Sequence, residues 1–252
     1  MSTVERDFDR LALLDDEGWT QNNDYHKFLL RQVPHGCVEA LEIGCGTGAF
    51  SRRLAQRARR VTAIDLSSEM IRVARSRSTQ LSNIDFEVAE LMLCDFPSDH
   101  FDCIATIATL HHLPLREALL KLIDALKPGG VLLVLDLFES EHNLLKLSGV
   151  RDAMLNAIAG VVSVSLRFIH NGRLKPPREV RAAWKEHGQS DSYPTLDHVR
   201  TLAAEITPGA KVTRHLLWRY SLIWQKPLSK AEPRSFKREL EWTTVQNPEV
   251  SG

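Results

Sequence analysis

The chain has no excess of either charge. Its 32 Lys and Arg balance 32 Asp and Glu over 252 residues, for a formal net charge of zero. No bulk field therefore favours nucleic acid or an anionic membrane. Cysteine is sparse: Cys37, Cys45, Cys94 and Cys103, with no Cys-x-x-Cys pair. That pattern argues against a structural zinc site or a disulfide scaffold and fits a reducing compartment; no metal ligand is expected. No uninterrupted apolar run reaches the roughly 18–20 residues needed to span a bilayer, and Met1 to Arg10 is too polar for a signal peptide. The expectation is a cytoplasmic protein, monomeric or homodimeric, without nucleic acid or stable membrane insertion. A hydrophobic share of 43% is ordinary for a globular chain, and the length allows one large domain or one domain with an insertion.

What is present centres on Leu41-Glu42-Ile43-Gly44-Cys45-Gly46-Thr47-Gly48-Ala49-Phe50. An apolar run from Val38 to Ile43 feeds three glycines at alternate positions, and a helical pattern from Ser51 to Arg60 follows. Strand, glycine turn and helix in this order form a nucleotide-type cofactor site. Glycine lets a ligand approach the backbone, and a helix start offers unpaired N–H groups. Gly44, Gly46 and Ala49 also fit the dinucleotide pattern G-x-G-x-x-G/A, so a nicotinamide-dependent oxidoreductase is the competing reading. No Tyr-x-x-x-Lys pair or other hydride-transfer site supports it.

Further strand–helix units follow. The second strand, Val61 to Ile64, ends at Asp65, about 20 residues after the first glycine, where a carboxylate can accept from ribose hydroxyls. Ser67 or Ser68 can cap the next helix, whose buried side holds Met70, Ile71, Val73 and Ala74. The third strand, Ile84 to Val88, leads to Glu90 and Leu91. The fourth, Cys103 to Ala108, leads to Leu110-His111-His112-Leu113-Pro114 and a helix from Leu115 to Leu126, which Lys127-Pro128-Gly129-Gly130 breaks. The fifth, Val131 to Leu137, is continuously apolar, as a strand buried on both faces should be. Such alternation implies a parallel sheet with helices on both faces. Ligands bind at the carboxyl ends of its strands, where Gly44, Asp65, Glu90 and Ile107 all fall.

Beyond the fifth strand, Leu144 to Ala159 has a helical pattern, Phe168 to Arg173 a loop pattern, and Arg178 to His187 a helical pattern carrying Trp184 and His187. Thr195 caps a helix through Ile206. Two strands close the chain, Lys211 to Leu217 and Tyr220 to Gln225. The polar tail from Ser229 is expected to be flexible.

Glu42-x-Gly44-x-Gly46-x-Gly48, Asp65-Leu66-Ser67, Phe101-Asp102, His111-His112-Leu113 and Lys127-Pro128-Gly129-Gly130 together resemble the class I S-adenosylmethionine-dependent methyltransferases of the small-molecule type. The resemblance covers roughly residues 38–138. It implies an α/β, Rossmann-like doubly wound, mostly parallel seven-stranded sheet with an antiparallel C-terminal strand pair and a helical insertion after the fifth strand. The corresponding division is 1–36 as an N-terminal helical cap, 37–227 as the methyltransferase domain with a substrate insertion at about 139–194, and 228–252 as the tail. Residues implied to hold S-adenosyl-L-methionine, with S-adenosyl-L-homocysteine as product, are Glu42, Gly44, Gly46, Gly48, Asp65, Leu66, Met70, Glu90, Leu91 and Ile107. Glu90 would accept from the adenine amino group, and Met70 would lie on the adenine face. His111 or His112 is the candidate base, since imidazole titrates in the right range. Tyr25 or His26 would face a small-molecule acceptor from an N-terminal lid. A relative that binds the cofactor without catalysis is the remaining alternative. The Asn/Asp-Pro-Pro-Tyr/Phe signature of nucleic-acid methyltransferases is absent after the fourth strand.

Overall fold

The computed structural model describes residues 3–14, 18–139, 147–188 and 191–228. Two helices come first, α1 (Thr3–Leu13) and α2 (Asn23–Leu30). Alternating strands and helices follow: β1 (Glu39–Ile43), α3 (Ser51–Leu54), β2 (Arg60–Asp65), α4 (Ser68–Ser76), β3 (Ile84–Val88), β4 (Phe101–Ile107), α5 (Leu115–Ala125) and β5 (Leu126–Leu137). Then come α6 (Leu147–Asn171), α7 (Arg178–His187), α8 (Leu196–Ile206), β6 (Lys211–Arg214) and β7 (Arg219–Gln225).

The strands form one seven-stranded sheet in the order β3-β2-β1-β4-β5-β7-β6. The first five are parallel, β7 runs antiparallel to β5, and β6 antiparallel to β7. This is the expected doubly wound plan. Period-two alternation divides the strand side chains between two cores. Leu41, Ile43, Ile104 and Leu132 face α5 and α8, together with Leu119, Leu122 and Val199. Ala40, Val61, Ala105 and Leu133 face the other layer with Leu29, Leu54 and Ile71. Strand order reverses between β1 and β4, which opens a crevice at their carboxyl ends.

Several local expectations give way to tertiary structure. The helix expected over Ser51 to Arg60 is only Ser51–Leu54; Arg59 and Arg60 N–H groups instead donate to the Cys37 and Val38 carbonyls, drawing the chain into β2. The tetrapeptide Lys127-Pro128-Gly129-Gly130 does not separate helix from strand but lies inside β5. Its Gly129 N–H donates to the Lys226 carbonyl at 2.8 Å, and the register against β4 shifts between Phe101 and Cys103 to absorb it. The last two strands meet at Leu217 and Trp218, both with positive φ (57° and 58°), as a tight hairpin turn of primed type requires. That turn shortens β6.

The largest difference is α6. Phe168 to Asn171 is helix rather than loop, and the helix stops at Gly172, whose φ of +67° supplies the left-handed C-terminal residue. The side chain of Asn171 then clasps Trp19, accepting from its N–H at 2.8 Å and donating to its carbonyl at 3.1 Å. The segment Asp152–Asn171 is also long and apolar enough, by length and composition, to cross a membrane, with 11% of it buried. No uninterrupted apolar run underlies it: Asn156, Ser163, Ser165 and Arg167 break the sequence pattern while the helix continues. The insertion starts and ends at one point on the sheet edge, where the Glu139 N–H donates to the Pro194 carbonyl at 3.0 Å. The expected tail from Ser229 lies outside the described residues.

Candidate active site

The three glycines perform different tasks. All have positive φ. A Cβ on Gly44 would stand 2.1 Å from Thr109 Oγ1, and one on Gly48 would stand 3.0 Å from Phe86. These two residues let β4 and α4 pack against the turn. Gly48 is not among the residues that border the crevice. A Cβ on Gly46 would meet nothing within 4 Å, and Gly46 does line the crevice. Asp65, at the carboxyl end of β2, accepts from the Gly46 N–H at 2.8 Å and the Ser67 N–H at 2.9 Å. A carboxylate has about four lone-pair positions; with the Leu66 N–H also bearing on it, at least one remains for a ligand hydroxyl. Burial raises the Asp65 carboxyl above its usual range, opposed by those backbone bonds. Glu42 is 2% exposed and accepts from the Ser51 hydroxyl at 2.6 Å. Burial pushes its pKa up to about 8, with the Ser51 bond opposing.

Leu66, Met70, Glu90, Leu91 and Ile107 all line the same cavity. Met70 and Leu91 are buried, and Ser67 caps α4 by accepting from the Met70 N–H at 3.0 Å. Ala108, just past β4, has φ of +51°, an uncommon value for a residue with a side chain and one that clusters at functional sites. The N-terminal segment brings Trp19, Asn22 and His26 to the cavity. Tyr25, expected as an alternative to His26, points elsewhere and donates to the Leu216 carbonyl. His26 is 3% exposed, and its Nδ1 has no hydrogen-bond partner. Burial, with Arg53 nearby, pushes its pKa down to about 4. The helix α1, within the expected N-terminal helical segment, locks onto α4 when Asp9 accepts from the Ser67 hydroxyl at 2.6 Å.

Opposite the glycine turn stands a histidine-rich wall. His111 Nδ1 lies 2.6 Å from Asp136 Oδ1, and the His111 backbone N–H donates to Asp136 Oδ2 at 3.1 Å. With the carboxylate accepting, Nδ1 carries the hydrogen and Nε2 keeps its lone pair. His112 Nδ1 stands 3.4 Å from Asp191 Oδ1. Burial, reinforced by neighbouring His111, pushes the His112 pKa down to about 4, so the ring is neutral. His187 comes from α7, its Nδ1 3.2 Å from Asp7 Oδ2. The ring of Phe8 on α1 packs edge-on against both His112 and His187. Tyr193 donates to Asp191 at 2.9 Å; burial and that bond push the phenol up to about 12. The reading of His111 and His112 thus gains Asp136, Asp191 and Tyr193, which the sequence analysis missed. Only Asp136 left a signal: a carboxylate ending an otherwise apolar strand at the ligand-binding edge.

The whole cavity has a volume of about 1840 Å³. The residues on the glycine side fit an adenosyl ligand: an open glycine, a ribose-type carboxylate with spare lone-pair capacity, and an apolar slot.

Comparison with known proteins agrees. A family model described as a methyltransferase domain matches residues 40–130. A Mycobacterium tuberculosis protein described as an uncharacterized methyltransferase is 30% identical over 217 residues, covering 84% of this chain and all of the relative. The ubiquinone biosynthesis O-methyltransferase of Xylella fastidiosa is 36% identical over 114 residues, covering 42% of this chain and 45% of the relative. Among solved structures, the N-methyltransferase NodS from Bradyrhizobium japonicum in complex with S-adenosylhomocysteine matches with a TM-score of 0.58 at 19% identity, over 90% of this chain and all of that one. The chain belongs to the class I S-adenosylmethionine-dependent methyltransferases, and S-adenosylmethionine is its cofactor.

Proposed function

We propose that this methyltransferase acts on a small-molecule acceptor held between the cofactor and the histidine-rich wall. The observation that carries the reading is the cavity. At about 1840 Å³ it exceeds the roughly 300–1,000 Å³ of a single small-ligand pocket, leaving room for an acceptor beside the cofactor. A chain without net charge gives no support to nucleic acid as acceptor.

When bound, S-adenosylmethionine supplies an electrophilic methyl on a good leaving group, so the protein has to align, desolvate and, for some acceptors, deprotonate. Asp65 would hold the ribose hydroxyls, with Met70 and Leu91 flanking the adenine and Glu90 accepting from its amino group. Phe8, Trp19 and Phe138, which all line the cavity, exclude water. His111, with Asp136 fixing its tautomer, presents Nε2 as the candidate proton acceptor.

The test is formation of S-adenosylhomocysteine in a panel of phenolic, carboxylic and amine acceptors. Turnover with one class, and a His111→Ala variant at least ten-fold slower with unchanged S-adenosylhomocysteine affinity, supports the reading. Equal turnover in variant and parent removes His111 from the chemistry, and no turnover with any acceptor leaves a cofactor-binding protein of another kind.

A further inference from the structure

We propose that His111, His112 and Asp191 form a binding site for a first-row divalent cation of the zinc class, which holds an oxygen of the acceptor. One ligating atom from each of the three lies within 4.8 Å of the other two. The side chains of His111, His112 and Asp191 are 4%, 10% and 5% exposed, yet all three border the cavity. The group was invisible in sequence because His111 and His112 follow β4 while Asp191 lies near the far end of the insertion, about 80 residues on.

The spacing of His112 and Asp191 fits an ion between them. His112 Nδ1 and Asp191 Oδ1 stand 3.4 Å apart, outside the usual 2.7–3.2 Å of a hydrogen bond. Two ligands of a tetrahedral ion with bonds of about 2.0–2.1 Å are separated by about 3.4 Å.

The surroundings also match. Asp136 accepts from Nδ1 of His111, the arrangement that fixes the tautomer and raises the basicity of a ligating imidazole. Tyr193 orients the other oxygen of Asp191. The wall contains three carboxylates, from Asp7, Asp136 and Asp191, which would offset the charge of a bound cation, with Arg219 nearby. Two imidazoles and one carboxylate suit zinc, iron(II), cobalt(II) or manganese rather than magnesium or calcium, which prefer oxygen ligands.

Three protein ligands leave at least one position open, the pattern of a reactive rather than a structural site. That position would take a hydroxyl or carboxylate oxygen of the acceptor. A hydroxyl ligated there would lose its proton to solvent at lower pH than when free, because the cation stabilises the oxyanion. The ion and the acceptor's proton compete for the same Nε2 lone pair of His111, so the cation would replace the base role rather than add to it. This functional part rests on the reading of the cavity as an acceptor site; ion binding itself does not.

The experiment uses the full chain, stripped with a chelator and saturated with S-adenosylhomocysteine. Zn²⁺ is titrated by calorimetry and Co²⁺ by visible absorption. The expected result is one ion per chain at micromolar affinity or tighter, with Co²⁺ d–d bands and no thiolate charge-transfer band from Cys45 or Cys94. Asp191→Asn and His112→Gln each weaken binding at least ten-fold, and Asp136→Asn weakens it about 10–100-fold. Unchanged S-adenosylhomocysteine affinity in all three shows that they are folded. Absence of ion binding in the parent, equal affinity in the variants, or thiolate bands overturns the inference while the acceptor reading stands. Ion binding without methyl transfer to any small acceptor overturns the acceptor reading alone.

Discussion

His111 Nδ1 and Asp136 Oδ1 stand 2.6 Å apart at the carboxyl ends of two paired strands. Asp136 is 1% exposed and also accepts from the Leu137 N–H at 2.7 Å. It can neither rotate away nor exchange its partner for water, so it acts as a positioning residue for the imidazole. Asp136→Asn presents an amide that cannot accept equally from both His111 donors. Turnover is expected to fall about 10–100-fold, with S-adenosylhomocysteine affinity within about two-fold of the parent. A parallel loss of cofactor affinity would show instead that the strand ends had moved.

The cofactor half of the site was legible because its signals are local. Glycine spacing, a strand end and an acidic residue sit within one strand–turn–helix–strand stretch, and each has a steric or hydrogen-bonding reason to be there. The acceptor half was not. Asp191 acquires meaning only when the insertion folds back through the Glu139–Pro194 contact. The packing of helix α1 was hidden for a similar reason: its partners, Met70 and Ala183, belong to α4 and α7. The end of α6 was misplaced because the aromatic and polar residues Phe168, His170 and Asn171 imitate a loop, while the true stop is Gly172.

Asp65 holds the turn and is proposed to hold the ribose, and two substitutions separate these roles. Asp65→Ala removes the acceptor for ribose hydroxyls; each charge-assisted bond contributes about 1.5–3 kcal/mol, so S-adenosylmethionine affinity should fall by at least about 100-fold. It also strands the Gly46 and Ser67 N–H groups, and the melting temperature falls with it. Asp65→Asn sets its amide against one of those N–H groups, so it should lose thermal stability too while keeping more affinity than Asp65→Ala. Titration calorimetry and thermal melts on the two variants measure both effects.

Alanine at two glycines of the turn should give opposite phenotypes. In Gly44→Ala the new methyl collides with Thr109, and the φ of +67° adds strain. The expected result is a loss of several kcal/mol, or failure to fold. In Gly46→Ala no atom is in the way; only the left-handed conformation costs, about 1 kcal/mol. The methyl then projects into the space left for the cofactor, so affinity suffers more than stability. Equal melting temperatures for the two variants would refute this division of labour.

The stability of the cofactor-free protein should fall as pH rises through neutrality, with Glu42 as a main cause. Its folded pKa is about 8, against an ordinary value of 4.5. Between those values the folded chain binds more protons than the unfolded one, so stability declines with rising pH. Below about 4.5 both states are protonated and the contribution is flat; above about 8 the full cost of a buried carboxylate, on the order of a few kcal/mol, is present. Asp65 is raised as well and acts in the same direction. His26 and His112, both held near 4, act oppositely but only below their ordinary value of 6.5; near pH 9 the buried thiols of Cys37, Cys45 and Cys103, raised above 9.0, act in the same direction as the carboxylates in parent and variant alike. Glu42→Gln keeps an oxygen for the Ser51 hydroxyl and carries no charge. Melting curves at pH 7, 8 and 9 should show the parent losing stability while Glu42→Gln loses less and exceeds it at pH 9. Parallel curves would mean that Glu42 keeps one protonation state across the range.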